Sequence, residues 1–167
     1  MELKKNISLL LLLTFGIFSC VQPPNYSDIP EIEFVQFNQD SITQGLAQNV
    51  NDTLEVTFSF TDGDGDIGDE TEAIDVFLID SRDNFPNPIK LPVIPNIGTE
   101  NGISGEVTVR IPNKPSNICC TYPDGSPPCT INNEFPVDTF SYQIYMVDRA
   151  GNESNRIQTD QITIICN

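Results

Sequence analysis

Residues 54–60, LEVTFSF, alternate apolar and polar side chains without a break. Because successive side chains of a β-strand point to opposite faces, this pattern predicts a strand with one face buried. Residues 103–111, ISGEVTVRI, alternate in the same way, and no segment beyond residue 30 has a convincing helical period. We therefore expect an all-β domain with about seven strands, A to G. They are residues 32–37, 54–60, 74–79, 89–94, 103–111, 140–147 and 157–165, of which strand D (89–94) is an edge strand because it contains Pro92.

The number of strands indicates the fold class, and the composition excludes several functions. Six or seven strands in a single domain of this size favour an antiparallel β-sandwich. The 167 residues include 24 acidic and 8 basic side chains, for a net charge of −16, so phosphates would repel the chain and we expect no nucleic-acid partner. Histidine is absent, which excludes Ser-His and Cys-His nucleophile pairs and any zinc site that uses histidine.

The first twenty residues have the organisation of an export signal. Lys4 and Lys5 precede an apolar run over residues 7–18, which is shorter than the about 20 residues that a membrane-spanning helix needs. The run ends in IFSC, residues 17–20, and resembles a bacterial lipoprotein signal of the kind found in Bacteroidota. That resemblance implies cleavage after residue 19, lipid on Cys20 and attachment to the outer membrane. Residues 20–30, rich in proline, would form a tether, and residues 31–167 the folded domain.

Two segments near the end of the chain suggest the type of sandwich. Residues 138–144, DTFSYQI, resemble the strand-F pattern of immunoglobulin-like domains, with Ile144 where cysteine is usual. Residues 147–154, VDRAGNES, are similar to the turn between strands F and G in bacterial surface immunoglobulin-like modules. The resemblance implies that the B–C, D–E and F–G loops meet at the end where the tether enters. The A–B, C–D and E–F loops would then meet at the opposite end.

The B–C loop is the candidate metal site. Residues 61–70, TDGDGDIGDE, hold five carboxylates, and flexible Asp/Gly loops supply oxygen ligands to Ca²⁺. The spacing does not fit an EF-hand, so another segment must complete the site, and the F–G loop lies at the same end of the expected fold. The alternative is a solvated acidic turn. The predicted ligands of a structural calcium ion are Asp62, Asp64, Asp66, Asp69 and Asp148.

The cysteines beyond Cys20 are predicted to form two disulfides, as an even number in an exported chain indicates. The immunoglobulin-like topology implies that strand G ends beside the long E–F connection, which places Cys166 near it. One of Cys119 and Cys120 should therefore pair with Cys166 and the other with Cys129, and the sequence leaves open which does which.

The leading functional hypothesis is a non-enzymatic lipoprotein that acts as a binding module or as an accessory subunit of an outer-membrane protein complex. The uncharged residues 21–27 favour a domain that faces the periplasm rather than the cell surface. The first alternative is a module that binds a cell-surface glycan, with Tyr122 of the long loop as a stacking residue. The second is a carboxylate-based hydrolase, which the clustering of the acids in one loop disfavours.

Overall fold

The computed structural model describes residues 25–46, 52–68, 70–71, 73–92, 94 and 102–166. In these segments the chain forms ten strands and no helix, so the predicted all-β class is confirmed. Accordingly, no described helix is long and apolar enough to cross a membrane. The strands are β1 (Glu31–Phe37), β2 (Ser41–Thr43), β3 (Thr53–Asp62), β4 (Val76–Asp80), β5 (Pro86–Ile89), β6 (Ile103–Pro112), β7 (Val137–Phe140), β8 (Tyr142–Met146), β9 (Ile157–Gln158) and β10 (Ile162–Ile165).

The strands form three sheets that are consistent with a β-sandwich. The first sheet has the order β1-β3-β6 and is antiparallel throughout. The second has the order β5-β4-β8-β9 and is also antiparallel. The third, β2-β10-β7, is mixed, because β2 runs parallel to β10 while β7 runs antiparallel to it.

One hydrophobic core lies between the sheets, and β3 contributes the longest row of it. Every second residue of β3 is buried, as the alternation in the sequence predicts. Burial of a large apolar side chain contributes about 1.5–3 kcal/mol, so this row is a major part of the stability. The core residues of the two antiparallel sheets include Leu54, Val56, Phe58, Phe60, Val76, Leu78, Ile144 and Met146.

Strand D was predicted in the wrong place. Of the described residues in 89–94, only Ile89 belongs to a strand, because the fourth strand is β5 (Pro86–Ile89), which forms a hairpin with β4. Pro86 and Pro88 lie in β5, where they are tolerated because β5 is the edge of its sheet. The chain then leaves the sheet, and the Leu91 backbone N–H donates to the Asp75 carboxylate at 2.8 Å.

Predicted strands F and G are each divided in two. Strand F breaks at Ser141, so that β7 joins β10 while β8 joins β4. At the break, side-chain hydroxyls accept backbone hydrogen bonds in place of a neighbouring strand: Ser81 from the Ser141 N–H, and Thr159 from the Tyr142 N–H. The predicted A–B connection also contains the short strand β2. These changes explain why ten strands replace the seven expected.

Candidate metal centre

The acidic loop begins inside the sandwich. Asp62 is the last residue of β3 and occupies the next buried position after Phe60 in the same alternating row. Its side chain is fully buried, at 0% exposure. The sequence contained this signal, because extending the alternation of residues 54–60 by two places puts Asp62 on the core face. A carboxylate at a core position is costly unless a partner compensates it.

Asp62 organises the turn that follows it. The Asp66 backbone N–H donates to Asp62 Oδ2 at 2.9 Å, which folds the intervening residues back toward the strand end. Gly65 has a φ of +70°, a conformation that is strained for residues with a Cβ atom. Ile67 then returns to the core with no exposed surface. The loop is thus anchored at both ends by buried side chains.

Three carboxylates meet in this turn. One oxygen from each of Asp62, Asp64 and Asp66 lies within 4.8 Å of the other two. We call these three residues the aspartate cluster. Two of its oxygens, Asp62 Oδ1 and Asp66 Oδ1, are buried and have no hydrogen-bond partner among the described residues. Of the five predicted ligands, the structure therefore brings three together.

The other two predicted ligands differ from these three. Asp148 is only 6% exposed and lies close enough for its charge to act on Asp62 and Asp66. Its two oxygens accept hydrogen bonds from the backbone and side-chain N–H groups of Asn152, at 2.7 and 2.8 Å, and it is not part of the group within 4.8 Å. Asp69 lies outside the described residues.

Burial and mutual repulsion perturb the acidity of the cluster. Burial is the main cause that raises the pKa of Asp62 to about 6, and the charges of Asp64, Asp66 and Asp148 add to it. The hydrogen bond from the Asp66 N–H acts in the opposite direction. Burial, followed by the charges of Asp148 and Asp64, also raises the pKa of Asp66. The Ala150 N–H and the charge of Arg149 act in the opposite direction on Asp66, but they do not outweigh the burial and the repulsion.

The F–G loop contributes a cation that contacts backbone rather than carboxylates. Arg149 donates from Nε to the Asp66 carbonyl at 2.7 Å and from a terminal nitrogen to the Gly65 carbonyl at 3.3 Å. The Ala150 backbone N–H donates to Asp66 Oδ2 at 3.0 Å. These contacts join the two loops, and residues 61–70 alone gave no signal for them, because the partners are more than 80 positions away in sequence.

The described part of the predicted tether, residues 25–30, passes the same loops. The Gly63 N–H donates to the Ser27 carbonyl at 2.7 Å, and Asn152 Nδ2 lies 3.5 Å from the Asp28 carbonyl. A Cβ atom at Gly63 would lie 2.6 Å from the Tyr26 carbonyl oxygen, so the close approach requires glycine. Residues 25–30 thus run beside both the B–C and the F–G loop.

The four cysteines of the domain form two disulfides, as predicted. Cys119 is bonded to Cys129 and Cys120 to Cys166, which is one of the two pairings that the sequence left open. Tyr122, in contrast, is unsuited to the proposed stacking role. It is 8% exposed, its hydroxyl donates to the Thr130 carbonyl, and its ring lies 6.4 Å from that of Phe135.

Comparison with known proteins gave no match: no family model, curated protein or solved structure is detectably similar to this chain. Cys20, the predicted lipidation site, lies outside the described residues.

Proposed function

We propose that this chain is a lipid-anchored envelope protein whose immunoglobulin-like β-sandwich binds a protein partner and has no enzymatic activity. The proposed fold type is supported by the order of the antiparallel sheets, since predicted strands A, B and E share one sheet, while strand C shares another with the β8 half of strand F and the β9 part of strand G. The outer membrane is the proposed location and the periplasm the favoured side, on the sequence of residues 1–27.

The observation that carries the binding role is the rigid attachment of residues 113–136. A connection of this length without regular structure is typically either functional or disordered. Here two disulfides fasten it, and the buried Gln44 amide donates to the Thr130 and Cys166 carbonyls and accepts from the Cys120 N–H. A segment fixed in advance loses little conformational entropy when it binds.

A guanidinium fastens the same loop to the β4–β5 turn. Arg82 donates to the Cys119 carbonyl at 2.7 Å and forms ion pairs with Asp80 and Asp138. The two segments also line one shallow pocket, which contains Phe85 and Ile118. The two segments therefore lie next to each other, and this supports the proposed arrangement of the loops.

Large apolar side chains on these segments are accessible to a partner. Phe85 is 75% exposed and Ile131 is 60% exposed. Exposed acidic residues on the same segments, Asp83, Asp124 and Glu134, favour a partner with a basic rim around an apolar contact. The burial of Tyr122 removes the aromatic side chain on which the glycan alternative depended, so the protein-binding role is the better supported of the two.

The binding role predicts position-dependent crosslinking in intact cells. A photo-crosslinking amino acid at Phe85 or at Ile131 should give one discrete product of the same mass, because both positions belong to the proposed contact surface. Val35 on β1 is the matched control, since it is apolar and 43% exposed but lies on a different segment. Products of equal yield from Val35, or no discrete product from either test position, would exclude this surface.

The anchor predicts a defined mass for the mature protein. Protein extracted from membranes should lack residues 1–19 and carry a diacylglyceryl group on Cys20, because one acyl chain alone anchors only marginally. Cys20→Ser should move the protein from the membrane to the soluble fraction. A mature chain that retains Met1, or a free Cys20 thiol, would contradict the proposal.

A further inference from the structure

We propose that Asp62, Asp64 and Asp66 bind a calcium ion at the tether end of the domain. The geometry is the first support. Three carboxylate oxygens within 4.8 Å of one another can all contact one cation, because Ca²⁺–oxygen distances are about 2.3–2.6 Å. Water supplies the remaining positions, since Ca²⁺ takes about 6–8 oxygen ligands and Asp64 is exposed to solvent.

The second support is the unpartnered oxygen inside the protein. Asp62 is completely buried, Oδ2 is used by the Asp66 N–H, and Oδ1 has no hydrogen-bond partner among the described residues. Buried carboxylates in folded proteins are normally paired or coordinate a metal ion. Asp66 Oδ1 is also a buried oxygen without a hydrogen-bond partner among the described residues. A cation between the two would satisfy both oxygens at once.

Charge around the cluster favours a hard divalent cation. No ion pair between described residues includes a member of the cluster, and the nearby Arg149 side chain donates to carbonyl oxygens instead. The buried Asp148 adds a further carboxylate close by. Only oxygen ligands are offered, which suits Ca²⁺ and excludes the nitrogen- and sulfur-rich sites typical of zinc.

The loop is organised before any cation binds. Hydrogen bonds from the Asp66 and Ala150 N–H groups hold two of the carboxylates, and the buried Ile67 fixes the chain after them. Binding therefore requires little rearrangement of the backbone, which lowers its entropic cost. The Gly63–Ser27 hydrogen bond couples the cluster to the tether, so an ion bound here stabilises the junction between the anchor and the domain.

The experiment compares calcium and chelator for the full chain, purified from membranes in a neutral detergent. Calcium titration by calorimetry should show one binding event per chain. At about a hundredfold excess over Kd, calcium should raise the melting temperature by roughly 5–10 °C relative to excess chelator. Magnesium at the same concentration should have a much smaller effect, because it demands a stricter octahedral geometry.

The decisive variant is Asp62→Asn, whose effect on the melting temperature should have opposite signs in chelator and in calcium. In chelator it should melt above the wild type, because an uncharged amide replaces a buried carboxylate that has a free oxygen. In calcium it should melt below the wild type, because the ion has lost a ligand. Asp64→Asn removes an exposed ligand and should abolish the calcium response with little change in chelator. Asp160→Asn, an exposed carboxylate between β9 and β10, is the matched control.

Three outcomes would overturn the proposal. The first is a wild-type melting temperature that does not change up to millimolar calcium. The second is a calcium response that survives in both Asp62→Asn and Asp64→Asn. The third is an equal response to magnesium, which would remove the assignment to calcium.

Discussion

Replacing both Cys120 and Cys166 with alanine should lower the free energy of unfolding by about 4 kcal/mol. The bond joins residues that are 46 positions apart, so it removes much of the freedom of the unfolded chain. Both residues are completely buried, and alanine avoids placing an unpaired hydroxyl in the core. Denaturant titration of the full chain in calcium and in chelator measures the loss, which should be the same in both conditions.

The second disulfide provides the control for this prediction. Cys119 and Cys129 are only 10 positions apart, and the same relation gives a loss of about 3 kcal/mol for the corresponding alanine pair. The two losses should therefore rank with the length of the closed loop. A larger loss for the Cys119–Cys129 pair would show that strain or local packing, rather than loop closure, determines the contribution of these bonds.

Arg82→Met should destabilise the domain by about 3 kcal/mol. Arg82 lies between two carboxylates, and the side chains of all three residues are 18% exposed. It also stacks on the Phe140 ring, 4.6 Å from the ring centroid. Methionine retains the packing volume but leaves Asp80 and Asp138 without a cation. The matched control is Arg110→Met, which breaks an ion pair with Glu55 but is 75% exposed and should cost less than about 1 kcal/mol.

Measuring the free energy of unfolding at low pH separates the electrostatic contribution of Arg82 from its packing contribution. Burial alone would raise the pKa of Asp138, but hydrogen bonds from Thr121, Thr139 and Arg82 outweigh it and hold that pKa below its usual value. A carboxylate with a lowered folded-state pKa contributes stability above its unfolded pKa of about 3.9, and the contribution disappears as the pH falls through the folded value. The difference between wild type and Arg82→Met should therefore be smaller at pH 2 than at pH 7. A constant difference would assign the effect to packing alone.

Strand alternation was the most reliable sequence signal. It located β3 and β6 almost completely, because each is a long strand with one face in the core. It did not predict the break at Ser141, where side-chain hydroxyls accept backbone hydrogen bonds. The alternation of apolar residues shows which face of a strand is buried but not which strand it pairs with. The prediction of an edge strand was correct in kind but misplaced: it expects the strand at 89–94 with Pro92, whereas the edge strand is Pro86–Ile89 and contains two prolines.

The acidic residues of the B–C loop were visible in the sequence, but only part of their environment could be predicted from it. Alternation from β3 is sufficient to place Asp62 in the core, so its burial could have been predicted. The position of Arg149 could not be predicted, because it depends on a contact with Asp66 across the fold. The hydrogen bonds from Asn152 to Asp148 form within the F–G loop and were also not predicted. The contacts of Gln44 with Thr130 and of Arg82 with Cys119 and Asp138 were missed because these partners are distant in sequence.

The pairing of the cysteines has a consequence for biogenesis. Along the chain the two bonds interleave, because Cys120 lies between Cys119 and Cys129 while its partner follows all ten strands. Under the proposed export of the chain, an oxidant that joined cysteines in their order of emergence would first produce a wrong pair. Correct maturation therefore requires that the strands assemble before oxidation, or that an isomerase exchanges the first bond by thiolate attack. Cells that lack disulfide isomerisation should accumulate mispaired forms of this protein.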